Sequence, residues 1–247
     1  MYNGINDMDE PRSTILITGA TGGIGGTITC ALAKSNHHIL ALGKDPLKLE
    51  ALGKMLPENA FEGYTCDLTS TSEVLYTINA IKKKSLPIDW IVYSAGSISP
   101  HEKTGNGTTI RDEIFAVNLF SAMLLAEGLE QSISPTGGII LISSTSGIWG
   151  NSAFPYYSSS KGALNTYGLS LSKTWADTQK TCIVICPGPT NTPMREKIAS
   201  DAKEQQSPEY VAQAVEEIIT GKSPFKNGDL IVIRNTKTFK ISTEVAI

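Results

Sequence analysis

Thr14-Ile15-Leu16-Ile17-Thr18-Gly19-Ala20-Thr21-Gly22-Gly23-Ile24-Gly25 couples a β-branched apolar run to a glycine-rich turn, and Gly25 to Ser35 then reads as a helix. The same alternation continues along the chain. Further strands are expected at His38–Leu42, Phe61–Cys66, Trp90–Ser94, Gly138–Ser143, Thr181–Cys186 and Asp229–Arg234. Helices are expected at Pro46–Met55, with Asp45 as cap and Pro46 at the first helical position, and at Arg111–Gln131, Pro155–Thr178 and Pro208–Thr220. Strands alternating with helices make βαβ units and a parallel sheet. The predicted fold is α/β: a single doubly wound Rossmann-type domain over 13–247, with about seven parallel strands flanked by helices on both faces. Such a sheet binds ligands beyond the carboxyl ends of its strands, so the residues just after each strand carry the functional reading.

Glycines in the first turn allow tight backbone angles and close approach of a pyrophosphate, while the following helix offers unpaired N–H groups to the anion. The Gly-x-x-x-Gly-x-Gly spacing of Gly19, Gly23 and Gly25 resembles the short-chain dehydrogenase/reductase family. The resemblance runs from about Thr14 to Met194 and implies that Gly19, Thr21, Gly22, Gly23, Ile24 and Gly25 hold a nicotinamide dinucleotide. At the end of the second strand, Gly43 takes the place where NAD-preferring members carry Asp, and Lys44 that of the basic residue in NADP-preferring ones. NADP(H) is favoured on that ground, with NAD(H) the alternative. Asp67-Leu68 matches the pair whose carboxylate accepts from the adenine amino group. Tyr93-Ser94-Ala95-Gly96 stands where the family carries Asn-Asn-Ala-Gly, so the asparagine hydrogen bonds there need replacing. Pro187, Gly188, Thr190 and Thr192 match the segment that meets the nicotinamide carboxamide and the pyrophosphate.

Tyr157 and Lys161 lie four apart on one helix face. A phenol titrates near pH ~10 in water, and a neighbouring ammonium or an oxidised nicotinamide favours its ionised form. Tyr-x-x-x-Lys is common in helices as mere packing; what strengthens it is Ser144, thirteen positions before Tyr157, the spacing the family uses. The resemblance implies that Tyr157 exchanges a proton with the substrate oxygen, that Ser144 hydrogen-bonds that oxygen, and that Lys161 also holds the nicotinamide ribose. Ser143 is the neighbouring alternative to Ser144. Asn118, in an apolar helical stretch, matches an asparagine that kinks a helix and supports a proton-relay water. The activity implied is hydride transfer between the nicotinamide and a carbonyl or secondary alcohol. A cofactor-binding sensor or scaffold with little turnover is the alternative reading, and the intact Asn118, Ser144, Tyr157 and Lys161 argue against it. Sugar-nucleotide chemistry usually needs a longer substrate region.

A net charge of -3 leaves no basic footprint for nucleic acid or an anionic membrane. Lys82-Lys83-Lys84 reads as a solvated helix end, and the apolar runs are too short to span a bilayer. Residues 1–12 read as a flexible polar tail without a signal-peptide pattern. Cys30, Cys66, Cys182 and Cys186 are scattered, which fits reduced thiols in the cytoplasm and no metal site. Substrate choice is expected in the short polar segment 195–208 and in an open pocket lined by Ile148, Trp149, Phe154 and Tyr156, suited to a small carbonyl compound. The ending Asp229–Asn235 lacks the Gly-Gly typical of acyl-carrier-protein ketoreductases. A homodimer or homotetramer through the 111–131 and 155–178 helices is implied by the resemblance alone.

Overall fold

The computed structural model describes residues 13–102, 107–198, 205–235 and 237–241. The expected tail 1–12 and residues 199–204 of the substrate segment therefore lie outside the described residues. Eight strands form one sheet in the order β3-β2-β1-β4-β5-β6-β7-β8. They are β1 Thr14–Thr18, β2 His38–Gly43, β3 Phe61–Thr65, β4 Ile88–Tyr93, β5 Ile133–Ile142, β6 Thr181–Pro187, β7 Leu230–Arg234 and β8 Lys237–Ile241. The first seven pair in parallel, and β8 returns antiparallel along β7.

β8 corrects the expected strand count. The chain reverses at Asn235, whose φ of 54° lies in the left-handed region an asparagine tolerates, and Arg234 pairs with Lys237 across the turn. Lys237 to Lys240 are all exposed, so this edge strand gives almost no buried face by which to read it from sequence.

The helices are α1 Gly23–Lys34, α2 Pro46–Lys54, α3 Thr71–Lys83, α4 Gly107–Phe115, α5 Ser121–Leu129, α6 Ser146–Trp149, α7 Pro155–Thr174, α8 Pro193–Glu196 and α9 Glu209–Ile219. Successive strand residues point to opposite faces. Ile15 and Ile17 meet Ile28 and Leu32 of α1 and Val211 and Val215 of α9, whereas Leu16 joins Ile78 of α3, Leu125 of α5 and Leu164 of α7. Two cores sandwich the sheet, as a doubly wound fold requires. Asp45 caps α2 by accepting from the N–H groups of Leu47 and Lys48, with Pro46 at its start, as its sequence predicts.

The expected helix 111–131 is broken into pieces. A π-helical segment, Ala116–Phe120, sits between α4 and α5 and carries Asn118. Such bulges shift side-chain facing and free a main-chain carbonyl, and they recur at functional sites. Strand order reverses between β1 and β4, which opens a crevice beyond their carboxyl ends.

Candidate active site

The turn after β1 has no room for side chains. Gly19 has a φ of 64°, and a Cβ there would lie 2.9 Å from the Cα of Ala95. A Cβ on Gly25 would meet the Gly19 carbonyl oxygen at 2.2 Å. Helix α1 starts at Gly22 with no side-chain cap and no acid in its first turn, leaving its N–H groups open toward the crevice. The depression above it is lined by Gly19, Gly22, Ser94, Gly96, Tyr157 and Lys161 among others, including Gly23, Ile24, Ala95 and Thr192. The Ser94 hydroxyl is buried there without a hydrogen-bond partner among the described residues. An uncapped helix start, a glycine cradle and an orphaned hydroxyl suit the phosphates and ribose of a dinucleotide.

Around this cradle, the missing asparagines of β4 are replaced by two other hydroxyls. Thr18 Oγ1 accepts from the N–H groups of Ser94 and Ala95, each at 3.1 Å. The buried Tyr93 hydroxyl contacts Ser121 Oγ at 2.6 Å and donates to the Val117 carbonyl, one of the groups of the π-helical segment. Tyr93 thus ties the strand end to the bulge bearing Asn118.

At the rim, Thr21 Oγ1 lies 3.4 Å from where a Cβ of Gly43 would be. Lys44 is 75% exposed and pairs with Asp67 at 2.7 Å. Hydrogen bonding and charge from Asp67 raise the Lys44 ammonium. Burial pushes the Asp67 carboxyl up, yet hydrogen bonds from Lys44 and Thr69 outweigh it and hold Asp67 below the usual carboxylate range. Leu68 packs against the core beneath.

Ser144 and Tyr157 face each other across the mouth of the crevice. A hydrogen bond from Ser144 lowers the Tyr157 phenol and so does the charge of Arg195, but burial dominates and raises it. Ser143, the alternative, is turned inward, donating to the Lys161 carbonyl at 3.1 Å. Lys161 Nζ donates to the Ile142 carbonyl at 2.9 Å and is buried. The Lys161 ammonium is thus held by the Ile142 carbonyl, and the charge of Arg195 also acts on the phenol. Burial lowers Lys161 to about 8. Asn118, fully buried, accepts from Ser97 N–H at 2.6 Å and donates to the Ser97 carbonyl and Ser160 Oγ, both at 2.9 Å. Its amide is satisfied, as a buried amide demands.

The depressed Lys161 has a stability consequence. Between its folded value of about 8 and the ordinary 10.5, the unfolded chain keeps a proton the folded chain has released, so stability rises with pH. Denaturant unfolding at about pH 8 and about pH 9 is expected to show the wild type gaining roughly 1 kcal/mol relative to Lys161→Met. A pH-independent difference would contradict a buried ammonium at this position.

Beyond β6, Thr190 Oγ1 donates to the Gly188 carbonyl at 2.9 Å and accepts from Gln206 at 3.1 Å. Thr192 caps α8 by accepting from Arg195 N–H, and its methyl lies 2.4 Å from where a Cβ of Gly23 would stand, closing the segment over the phosphate turn. A cavity of about 350 Å³ opens beside it, with Ser144, Trp149, Phe154, Tyr157, Pro187 and Gly188 in its wall. Ile148 packs instead against the core, and Tyr156 is not part of the wall. Each is one residue from a lining neighbour, and a helix turns a full 100° or so per residue.

Three further charged residues at the site are not singled out by the sequence, although Arg195 opens the expected substrate segment 195–208. Glu102, buried, accepts from the N–H groups of Tyr156 and Tyr157 at 2.8 and 3.3 Å, capping α7 from outside it. Its partners lie more than fifty positions away, beyond any local capping pattern. Arg195 and Arg234 enter the cavity from α8 and β7. Among the described residues no group of three or more His, Cys, Asp or Glu could hold a metal ion, all four cysteines are free thiols, and no helix is long and apolar enough to cross a membrane.

A family model described as short chain dehydrogenase matches residues 13–203. The chain is 31% identical over 245 residues to the 3-oxoacyl-(acyl-carrier-protein) reductase FabG of Rickettsia conorii, covering 92% of this chain and 100% of that one. A short-chain dehydrogenase/reductase from Brucella melitensis superposes with a TM-score of 0.83 at 20% identity, over 93% of this chain and 97% of that one. Actinorhodin polyketide ketoreductase with NADPH gives 0.80 at 24% identity, over 90% and 96%. These two likenesses concern the fold. With the glycine turn, the crevice and the family match together, the chain belongs to the short-chain dehydrogenase family and is an NAD(P)-dependent oxidoreductase.

Proposed function

We propose that the chain reduces a carbonyl compound, or oxidises the matching secondary alcohol, with NADP(H) as its preferred cofactor. The observation that carries this reading is the position of Tyr157, which borders both the depression over the glycine turn and the adjoining cavity. A side chain on that boundary can reach an oxygen whose carbon faces the nicotinamide. The bound nicotinamide supplies or accepts hydride at its C4.

The remaining work falls to the chain itself. Ser144 orients the substrate oxygen and stabilises charge developing on it. Tyr157 donates its phenolic proton to that oxygen during reduction and removes one during oxidation. Lys161, lowered to about 8, can hold or release a proton near neutral pH and can donate to ribose hydroxyls. Asn118 is a positioning residue that binds Ser97 beside Gly96 and so shapes the floor of the crevice. Thr190 and Thr192, with Pro187 and Gly188, form the wall over the nicotinamide half, and Asp67 and Leu68 border the adenine half. Deuteride transfer from labelled cofactor to a carbonyl carbon, expected with the wild type and nearly lost in Tyr157→Phe, tests the reading.

The NADP preference rests on Lys44, the exposed cation at the end of β2. A 2′-phosphate must compete with Asp67 for it, so the preference is modest. Lys44→Ala is expected to weaken NADPH binding by roughly tenfold and NADH binding little, as read by fluorescence titration. Equal losses would remove Lys44 from 2′ discrimination. A cytoplasmic location is consistent with four free thiols, and Phe120, 52% exposed on the π-helical segment, suits a homo-oligomer contact.

A further inference from the structure

We infer that the cavity beyond Tyr157 recognises a carbonyl substrate carrying an anionic oxyanion group, a carboxylate or phosphate, gripped by Arg195 and Arg234. The inference rests on the oxidoreductase reading and specifies its substrate. Among the described residues lining the cavity, these two arginines are the only ionisable groups besides Tyr157, and none is a carboxylate. In a chain with net charge -3, that local surplus of positive charge stands against the overall balance.

Among the described residues neither arginine takes part in an ion pair. The Nε of Arg195 is moreover buried without a hydrogen-bond partner. A buried, unsatisfied, charged donor is costly, and the cost is removed when a ligand supplies the acceptor. Arg195 and Tyr157 line the same cavity, so a group held by Arg195 shares the space beside the reacting oxygen. Arg234 reaches in from the end of β7 across Gly188. A Cβ there would lie 3.1 Å from Arg234 Cγ, so the glycine leaves the path clear for that side chain.

The arginines lie outside the lining of the depression over the glycine turn. A planar guanidinium presents paired donors that match carboxylate or phosphate oxygens, and two of them converging from separate elements fix the orientation of a small molecule. A bound nicotinamide would share the Pro187, Gly188, Thr190 and Thr192 side of this cavity, so the space left between Tyr157 and the two arginines suits only a small oxo acid or phosphorylated ketone of a few carbons. In reduction, hydride with its two electrons reaches the carbonyl carbon, Tyr157 gives its proton to the oxygen, and solvent reprotonates Tyr157. The oxo acid becomes a hydroxy acid and reduced nicotinamide becomes oxidised.

The test compares short oxo acids with their methyl esters, and phosphorylated ketones with the free hydroxy ketones, in the cofactor-loaded protein. Both turnover and calorimetric binding are read. The anionic member of a pair is expected to win by roughly tenfold to a hundredfold in kcat/KM and in affinity. Which pair shows the larger ratio separates carboxylate from phosphate. Arg195→Met and Arg234→Met should each collapse the anion-to-neutral ratio, and Arg195→Lys should restore part of it, whatever their effect on overall rate. Equal handling of acid and ester by the wild type, in turnover or in binding, would overturn the inference while leaving the oxidoreductase reading intact. Tight anion binding without turnover would do the reverse. A rise in the Kd of NADPH in the Arg195 variant, with the substrate ratio unchanged, would assign Arg195 to the cofactor and overturn the inference.

Discussion

Tyr157→Phe is expected to lower kcat by roughly 10²–10⁴-fold while leaving NADPH binding nearly unchanged. The loss has a specific physical source. Removing the phenolic oxygen takes away the proton donor and the partner of Ser144, but the ring keeps its shape and its packing in α7. Ser144 Oγ still accepts from Ser146 N–H at 3.1 Å, so the neighbouring hydroxyl is not stranded. Thermal denaturation should therefore show a small change beside the large kinetic one. A variant that kept wild-type kcat would make Tyr157 a bystander, whatever its neighbours.

A different failure is expected for Gly25→Ala. The new methyl carbon would sit 2.2 Å from the Gly19 carbonyl oxygen, and main chain cannot rotate out of the way as a side chain can. Helix α1 must shift off the turn, which costs about 1–3 kcal/mol of stability and spoils the alignment of its N–H groups with a bound pyrophosphate. Dinucleotide affinity should fall at least about tenfold, and equally for NADPH and NADH, since both carry the pyrophosphate. That equality distinguishes it from the Lys44 variant. Unchanged stability and affinity would mean the turn opens more freely than its contacts indicate.

Much of this architecture is legible in the sequence, for reasons that can be named. Asp45-Pro46 predicts where α2 starts because a side-chain cap and a fixed φ act locally. The unbroken apolar run of β1 predicts burial on both faces because successive side chains point to opposite sides of the pleat. Site residues taken from the glycine turn and from Ser144, Tyr157 and Lys161 do gather at one crevice, since strand ends in a parallel sheet all open on the same side. What could not be read is non-local. Glu102 caps a helix from more than fifty residues away, and Arg234 joins Arg195, the first residue of the expected substrate segment, in one cavity wall only once β6 and β7 have paired. The helix break at Asn118 is implied by the family resemblance, whereas the local apolar pattern alone reads as one continuous helix and gives no sign of the bond from the Tyr93 hydroxyl to the π-helical segment. The Tyr157–Lys161 spacing is legible, whereas the burial that raises the phenol and the Ile142 carbonyl that holds the ammonium come from strands and helices far apart in sequence.

The oxidoreductase account comes to one measurement: NADPH carrying deuterium at C4, on the hydride-donating face, incubated with the protein and a panel of small carbonyl compounds, with products read by mass spectrometry. The account predicts deuterium on the carbinol carbon of at least one product with the wild type and almost none with Tyr157→Phe in the same time. Label reaching product as fast with Tyr157→Phe as with the wild type, or no transfer to any carbonyl while the protein binds NADPH, would contradict it.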